Sequence, residues 1–334
     1  MRRVGVAILG LGTIGSAVAR ALTDQYELIV ERTGLQLVLL GVLERSTDRA
    51  SRANLEPDVI ATDLATILTQ DGVDVVVEVL GREQPAADYM RRCLESGLHV
   101  VTANKEALSK QFSSLIHAAQ SAERALMFEA SVGGGIPLLV SYRHILATNR
   151  VTRVRGIVNG TTNYILSRMA SGGVPYDEAL GEAQQLGYAE PDPTADVEGY
   201  DAAYKLAILA SLMTGRHVHP DEIDRTGISG LTSNDIGEAR RRGGVYKLIG
   251  RAELGAGDTL TLRVAPEIVP NDELLAHVSA NYNAIEVVGD RVGLVVLSGQ
   301  GAGPLPTSSA ILSDIVEAVR IGAAANPAFG NAHE

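Results

Sequence analysis

A single cysteine, Cys93, leaves this chain of 334 residues no intramolecular disulfide to form, so a reducing cytoplasm is the compartment to expect. Cys93 falls in a helical pattern with Met90 and Leu94 and reads as a small buried apolar side chain rather than a reactive thiol. Tryptophan is absent and aromatic residues make up 4% of the chain, so aliphatic side chains must fill the interior. Basic residues are in deficit, 29 Lys plus Arg against 40 Asp plus Glu, for a net charge of −11. A nucleic-acid binder needs the opposite balance to neutralise phosphates, and the run Arg240-Arg241-Arg242 reads as solvated helix surface. No uninterrupted apolar run reaches the roughly 18 residues that a membrane span requires. Arg2-Arg3, an apolar stretch and Ala17-Val18-Ala19 imitate a secretory signal. Gly10, Gly12 and Gly15 interrupt that stretch, however, and cleavage would delete the most informative motif in the chain. Internal repeats and low-complexity blocks are missing as well. What remains is 46% hydrophobic residues over a length suited to two compact domains, which excludes intrinsic disorder.

Residues 4–9 form a nearly continuous apolar run, as a parallel strand covered on both faces requires. Helices are predicted over 13–32, 85–96 and 105–124, alternating with strands over 35–43, 74–79, 98–101 and 126–129. Such alternation points to an α/β doubly wound parallel sheet. After Gly133-Gly134-Gly135 the rhythm changes. A strand over 151–158 precedes helices near 161–170, 176–186 and 200–214. Strand-like segments at 245–254, 259–264, 284–288 and 293–297 then follow without helices of matching length between them. This pattern predicts an α+β second domain on a more antiparallel sheet. Residues 299–306 read as flexible, and a final helix over 308–321 leads into a frayed tail.

Gly10-Leu11-Gly12-Thr13-Ile14-Gly15 directly follows a strand and opens a helix, the setting in which G-x-G-x-x-G signals dinucleotide binding. Gly10 permits the tight turn, Gly12 the approach of a pyrophosphate, and Gly15 the packing of helix on strand. The pyrophosphate then meets unpaired N–H groups at the positive helix end. At the end of the second strand, an acidic side chain would hold the ribose 2′-hydroxyl of NAD and an arginine the 2′-phosphate of NADP. Glu44 and Arg45 stand there side by side, and the basic surroundings of Arg45, Arg49 and Arg52 favour NADP over NAD.

Residues 187–205 concentrate the carboxylates of Glu190, Asp192, Asp196, Glu198 and Asp201 around Pro191 and Pro193. The prolines predict an extended loop that holds Glu190 in a defined place. Asp201 and Lys205, at i and i+4, share one face of the helix that follows. That helix is strongly apolar, so the pair suggests a site, although an exposed ion pair of little consequence is the alternative. Val101-Thr102-Ala103-Asn104-Lys105 puts polar residues at a strand's C-terminal end, where open α/β sheets bind ligands. Gly156-Ile157-Val158-Asn159-Gly160-Thr161-Thr162-Asn163 ends another strand with groups suited to a polar small molecule. His217 and His219 have no third ligand nearby and read as surface residues.

These motifs, with Glu129-Ala130-Ser131-Val132-Gly133-Gly134-Gly135-Ile136-Pro137 and Gly301-Ala302-Gly303, resemble homoserine dehydrogenase in order and spacing from about Val4 to Val319. The resemblance implies interconversion of L-homoserine and L-aspartate 4-semialdehyde with a nicotinamide cofactor. It implies a Rossmann domain over 1–133 completed by 303–325, with a substrate-binding and dimerisation domain over 134–302 inserted. By the same resemblance Lys205 is the acid/base lysine and Lys105 a second essential lysine. Glu190 and Asp201 bind the substrate ammonium, with Asp196, Thr161 and Tyr188 nearby. Thr13, Ile14, Lys105, Gly187 and Gly303 contact the dinucleotide, beside Gly10, Gly12, Gly15, Arg45 and Thr102. A monovalent cation, sodium in many relatives, lies at the segment of Glu129, Val132, Gly134 and Ile136, and the assembly is a homodimer. Many bacterial relatives carry an additional C-terminal ACT-type domain, whereas this sequence stops at Glu334, so feedback by threonine through such a domain is expected to be absent. Three other readings compete with this one. An aspartate-semialdehyde dehydrogenase would need a nucleophilic cysteine, an aspartate dehydrogenase would lack the Glu190 to Lys205 constellation, and a dinucleotide sensor would bind without turnover.

Overall fold

Strand β1 (Arg2–Leu9) is buried from Val4 to its end, as its unbroken apolar run demands. It lies inside a six-stranded sheet of order β3-β2-β1-β4-β5-β6. The other strands are β2 (Leu35–Leu43), β3 (Ile60–Ala61), β4 (Val73–Glu78), β5 (His99–Thr102) and β6 (Leu126–Met127), and every pairing is parallel. The strand order reverses at β1 and β4, so their C-terminal ends flank the switch point of a doubly wound sheet. The computed structural model describes residues 1–46, 48–49 and 55–326, and the chain divides into two units, Met1–Gly135 with Gly303–Glu334, and Ile136–Ala302. Arg52 and the tail beyond 326 lie outside the described residues.

The first unit's helices are α1 (Thr13–Asp24), α2 (Tyr26–Thr33), α3 (Leu64–Leu68), α4 (Ala86–Glu95), α5 (Lys105–Lys110) and α6 (Phe112–Ser121). Two helices that the periodicity predicts as continuous are broken. Between α1 and α2 the chain turns at Gln25, and α2 buries no residue that would hold it to the α1 axis. Between α5 and α6 it turns at Gln111, whose side-chain amide donates to Glu83 at 2.8 Å, a tertiary bond that periodicity cannot register. A closing helix, Pro304–Ile321, brings Ile311, Ile315, Ala318 and Val319 into one core with Val18 and Leu22 of α1, Val75 and Val77 of β4 and Met127. It starts at a proline directly after Gly303, ahead of the predicted position, because proline is well suited to the first helical turn. Cys93 is fully buried in α4, and burial pushes its thiol up to about 12.

The second unit comprises α7 (Leu138–Leu146), β7 (Val151–Ile157), α8 (Gly160–Gly172), α9 (Tyr176–Gln185), α10 (Thr194–Val197), α11 (Tyr200–Thr214), β8 (Asp224–Arg225), α12 (Ser233–Arg241), β9 (Gly244–Leu254), β10 (Leu260–Pro270), β11 (Tyr282–Gly289) and β12 (Gly293–Gln300). Its sheet order is β12-β11-β7-β9-β10-β8, antiparallel except between β10 and β8. Helices α7 and α12 escape the sequence reading. The first follows Pro137 and buries Leu138, Leu139 and Tyr142, and the second carries a Thr232/Asp235 capping box. Strand β10 also runs on past Val264, where the prediction stops, through Pro266 to Pro270. Strand β8 pairs with β10 only at Arg263 and Val264, so Pro266 and Pro270 lie where the strand has a free edge and needs no N–H donor there. Residues 299–306, predicted as flexible, divide instead between the end of β12 and the start of the closing helix.

Candidate active site

The glycine loop acts through its backbone. Gly10 takes φ +101°, a left-handed conformation that leaves β1 in a tight turn. A Cβ on Gly15 would stand 1.9 Å from the Gly10 carbonyl oxygen, so only glycine lets α1 start this close to the strand. Around Gly12 a Cβ would meet nothing within 4 Å, and no side chain caps the first turn of α1. Open space in front of uncapped N–H groups fits a pyrophosphate. Thr13 and Ile14 form that first turn.

At the end of β2 the two adjacent candidates part company. Glu44 turns inward, and its carboxylate accepts the Leu11 N–H at 3.0 Å and the Ser46 N–H at 2.8 Å, with Arg49 at 3.8 Å. Burial acts upward on this carboxyl, yet the Ser46 and Leu11 N–H groups hold it below the usual range. Glu44 is thus a strut for the glycine loop. Arg45 stays exposed, with its guanidinium 3.5 Å from the Tyr89 hydroxyl. Thr102 ends β5 fully buried, and Asn104 caps α5 by accepting the Ala107 N–H at 3.0 Å, which places Lys105 as the first residue of that helix.

In the second unit the polar centre is carried by α11, buried on nearly all sides, with Ala203, Leu206, Ala207, Ile208 and Ala210 among its covered residues. Gly199 begins it at φ +79°. Arg225 steadies this turn by stacking 3.4 Å over the Tyr200 ring and donating to the Glu198 carbonyl at 2.5 Å. Lys205 Nζ donates to Asp201 Oδ2 at 2.6 Å and to the Val158 carbonyl at 2.8 Å, with both charged side chains about one-tenth exposed. An ammonium has three donors. Among the described residues two are used, leaving one N–H for an incoming oxygen.

The sequence reading names Asn159 only within a segment suited to a polar small molecule and gives it no role of its own, yet it is the residue that joins this pair to the loop. Its Nδ2 donates to Asp196 Oδ1 at 2.7 Å and Asp201 Oδ2 at 2.8 Å, one hydrogen to each carboxylate, while Oδ1 accepts the Thr162 N–H as the cap of α8. Asn159-Gly160-Thr161-Thr162 has the helix-cap signature, the one local signal that could have found it. Burial and then the Asp201 charge push the Asp196 carboxyl above its usual range. Folding therefore takes up a proton at Asp196, so its contribution to stability is complete below the ordinary Asp range and is lost as pH rises through the raised value. Asp196→Asn should raise the thermal midpoint of the ligand-free protein at neutral pH and flatten its decline with pH, which calorimetric scans from the ordinary Asp range up to neutral pH would measure.

Thr161 donates its hydroxyl to the Tyr188 carbonyl at 2.7 Å, which ties the start of α8 to the loop after α9. Gly187 turns that loop at φ +74°, and the exposed Tyr188 ring packs 5.1 Å from Tyr164. Glu190 is exposed, with its carbonyl accepting from Gln184 at 3.1 Å, so its backbone is held. In the first unit Glu129 is buried, its N–H donates to Asp314 at 2.9 Å, and Gly133 and Gly134 follow Val132 at φ +85° and +60°. Gly303 is strongly left-handed at φ +121° and sits where the closing helix begins. Among the described residues no group of three or more His, Cys, Asp and Glu could hold a metal, and no helix is long and apolar enough to cross a membrane.

Comparison with known proteins matches both units. Residues 10–129 match the family model described as the homoserine dehydrogenase NAD-binding domain, and residues 137–316 the one described as homoserine dehydrogenase. The chain is 42% identical over 321 residues to the homoserine dehydrogenase of Synechocystis, spanning 95% of this chain and 74% of that protein. Against the Mycobacterium tuberculosis enzyme it is 44% identical over 323 residues, spanning 95% and 72%. The crystal structure of a homoserine dehydrogenase from Thiobacillus denitrificans superimposes with a TM-score of 0.93 at 37% identity, covering 99% of this chain and 78% of that one. A hyperthermophilic archaeal homoserine dehydrogenase in complex with NADPH gives 0.78 at 26% identity, covering 95% and 98%. A dinucleotide loop in one unit, a buried lysine–carboxylate centre in the other and these likenesses along nearly the whole chain agree: the chain belongs to the homoserine dehydrogenase family, NAD(P)-dependent oxidoreductases that act on the CH–OH group of homoserine.

Proposed function

We propose that Lys205 is the acid/base of this reaction, that Asp201 and Glu190 bind the substrate ammonium with Asp196, Thr161 and Tyr188 beside them, and that NADP is the preferred cofactor. The observation that carries the reading is the buried Lys205–Asp201–Asn159–Asp196 cluster, in which one lysine N–H is unspent. The bound nicotinamide supplies the hydride acceptor. Oxidation of the carbinol also releases the hydroxyl proton, which the amine form of Lys205 takes up, directly or through water, to become the ammonium. In the reverse direction the ammonium donates that proton to the aldehyde oxygen as hydride arrives. Asp201 keeps the lysine in place, and Lys105 serves as a second lysine at the cofactor end.

The preference for NADP is supported by Glu44, whose carboxylate is engaged by the glycine loop, and by the exposed Arg45 guanidinium. Gly10, Gly12, Thr13, Ile14 and Gly15 hold the pyrophosphate, with Thr102, Lys105, Gly187 and Gly303 along the rest of the dinucleotide. A sodium ion at the segment of Glu129, Val132, Gly134 and Ile136 is supported by a buried carboxylate beside successive left-handed glycines, since hard cations take carboxylate and carbonyl oxygens. A homodimer through the second unit's sheet is supported by β12, an edge strand on which Leu294 is 54% exposed. The cytoplasm suits the lone thiol.

Initial rates with L-homoserine, following NADPH and NADH formation in parallel with and without sodium, test the reading. NADPH should form faster, and Arg45→Ala should raise the KM for NADP about tenfold while leaving that for NAD nearly unchanged. Equal changes for both cofactors would remove Arg45 from the 2′-phosphate site.

A further inference from the structure

Glu78 ends β4 with none of its surface exposed. A carboxylate this deep must be met by donors. Oε1 accepts the Leu80 N–H at 2.7 Å and Asn104 Nδ2 at 3.2 Å, and Oε2 accepts the Thr102 hydroxyl at 2.6 Å. The same hydroxyl oxygen accepts the Asn104 N–H at 2.9 Å, and Asn104 Nδ2 also reaches the Arg82 carbonyl at 2.9 Å. Through its Oδ1 Asn104 caps α5, whose first residue is Lys105. One charge thereby organises the end of β4, the end of β5 and the start of α5.

These donors are all neutral, and burial holds the carboxyl above its usual range. For stability alone, an uncharged group of the same shape would serve as well or better. The charge stands beside Leu9 of β1, its register partner, at the switch point where a doubly wound sheet meets its ligand. We propose that Glu78 is a positioning residue that, acting through Thr102 and Asn104, sets the 102–105 segment for the nicotinamide half of the dinucleotide and aims Lys105. This rests on the assignment of Lys105 to the cofactor end of the site.

The test uses the full chain titrated with NADPH and read by the coenzyme's fluorescence, beside the thermal midpoint of the protein without coenzyme. Glu78→Gln keeps the shape and removes the charge. The expected result is an unchanged or higher midpoint, NADPH affinity weakened about fivefold or more, and kcat lowered with the KM for homoserine nearly unmoved. Affinity within about twofold of wild type overturns the proposal. Loss of affinity that merely tracks a falling midpoint overturns it too. Should Glu78→Gln fail to fold, Glu78→Asp decides the matter: it keeps the charge but draws it back from Thr102 and Asn104, so NADPH affinity should again weaken about fivefold or more, and affinity within about twofold of wild type overturns the proposal. Lys105→Ala, measured in parallel, keeps the two readings apart, because normal NADPH affinity and turnover there remove the role of Lys105 whatever Glu78 does.

Discussion

Lys205→Ala should lower kcat about a thousandfold while leaving NADPH affinity within about twofold of wild type. General acid/base groups contribute about a hundredfold to ten-thousandfold, and among the described residues Lys205 keeps an N–H that its two partners leave uncommitted, so the middle of that range is expected. Lys205 is not among the proposed coenzyme contacts, so chemistry and coenzyme binding should separate in this variant. Stopped-flow mixing with NADPH and the semialdehyde would show whether the hydride step itself has slowed. Retention of more than about a tenth of wild-type turnover would rule Lys205 out as the proton-transfer group.

Asp201→Ala should have the largest effect on stability. It leaves an ammonium in a helix buried nearly all round, without the carboxylate 2.6 Å away. Breaking a buried pair from one side costs about 3 to 5 kcal/mol, whereas replacing both partners by apolar groups is often close to neutral. The thermal midpoint of Asp201→Ala should therefore fall well below that of the double variant Asp201→Ala with Lys205→Met. A double variant no more stable than the single one would mean that Asp201 stabilises the helix by something other than pairing the lysine. Both variants should be nearly inactive.

What could be read from the sequence was whatever depends on local geometry. The turn at Gly10 and the close approach at Gly15 are backbone constraints confined to a few residues, and the Asp201–Lys205 pair follows from helical spacing. Groups joined over long distances could not be read in this way. Asn159 bridges to residues 37 and 42 positions further on. Glu44 and Arg45 have opposite surroundings only because Leu11 and Ser46 offer N–H groups to one of them. Glu78 did leave a trace, as the lone acid closing the run Val75-Val76-Val77, yet its partners Thr102 and Asn104 lie on another strand end. The unpredicted break at Gln111 goes with a tertiary bond to Glu83 that periodicity does not carry, and the one at Gln25 opens a helix with no buried face.

The first unit is made from both ends of the chain, and this bears on how the protein is born. Arg2 donates to the carbonyl of Val319, and Ile311 and Ile315 belong to the same core as Val4, Val6 and Ile8. On the ribosome the six parallel strands emerge long before the helix that covers one of their faces. The part of that core which the closing helix fills then stays open, with α1 alone against it, while residues 136–302 are synthesised and are free to fold as a continuous unit. During that interval nascent chains offer chaperones and proteases the apolar patch that Ile311, Ile315 and Val319 later cover.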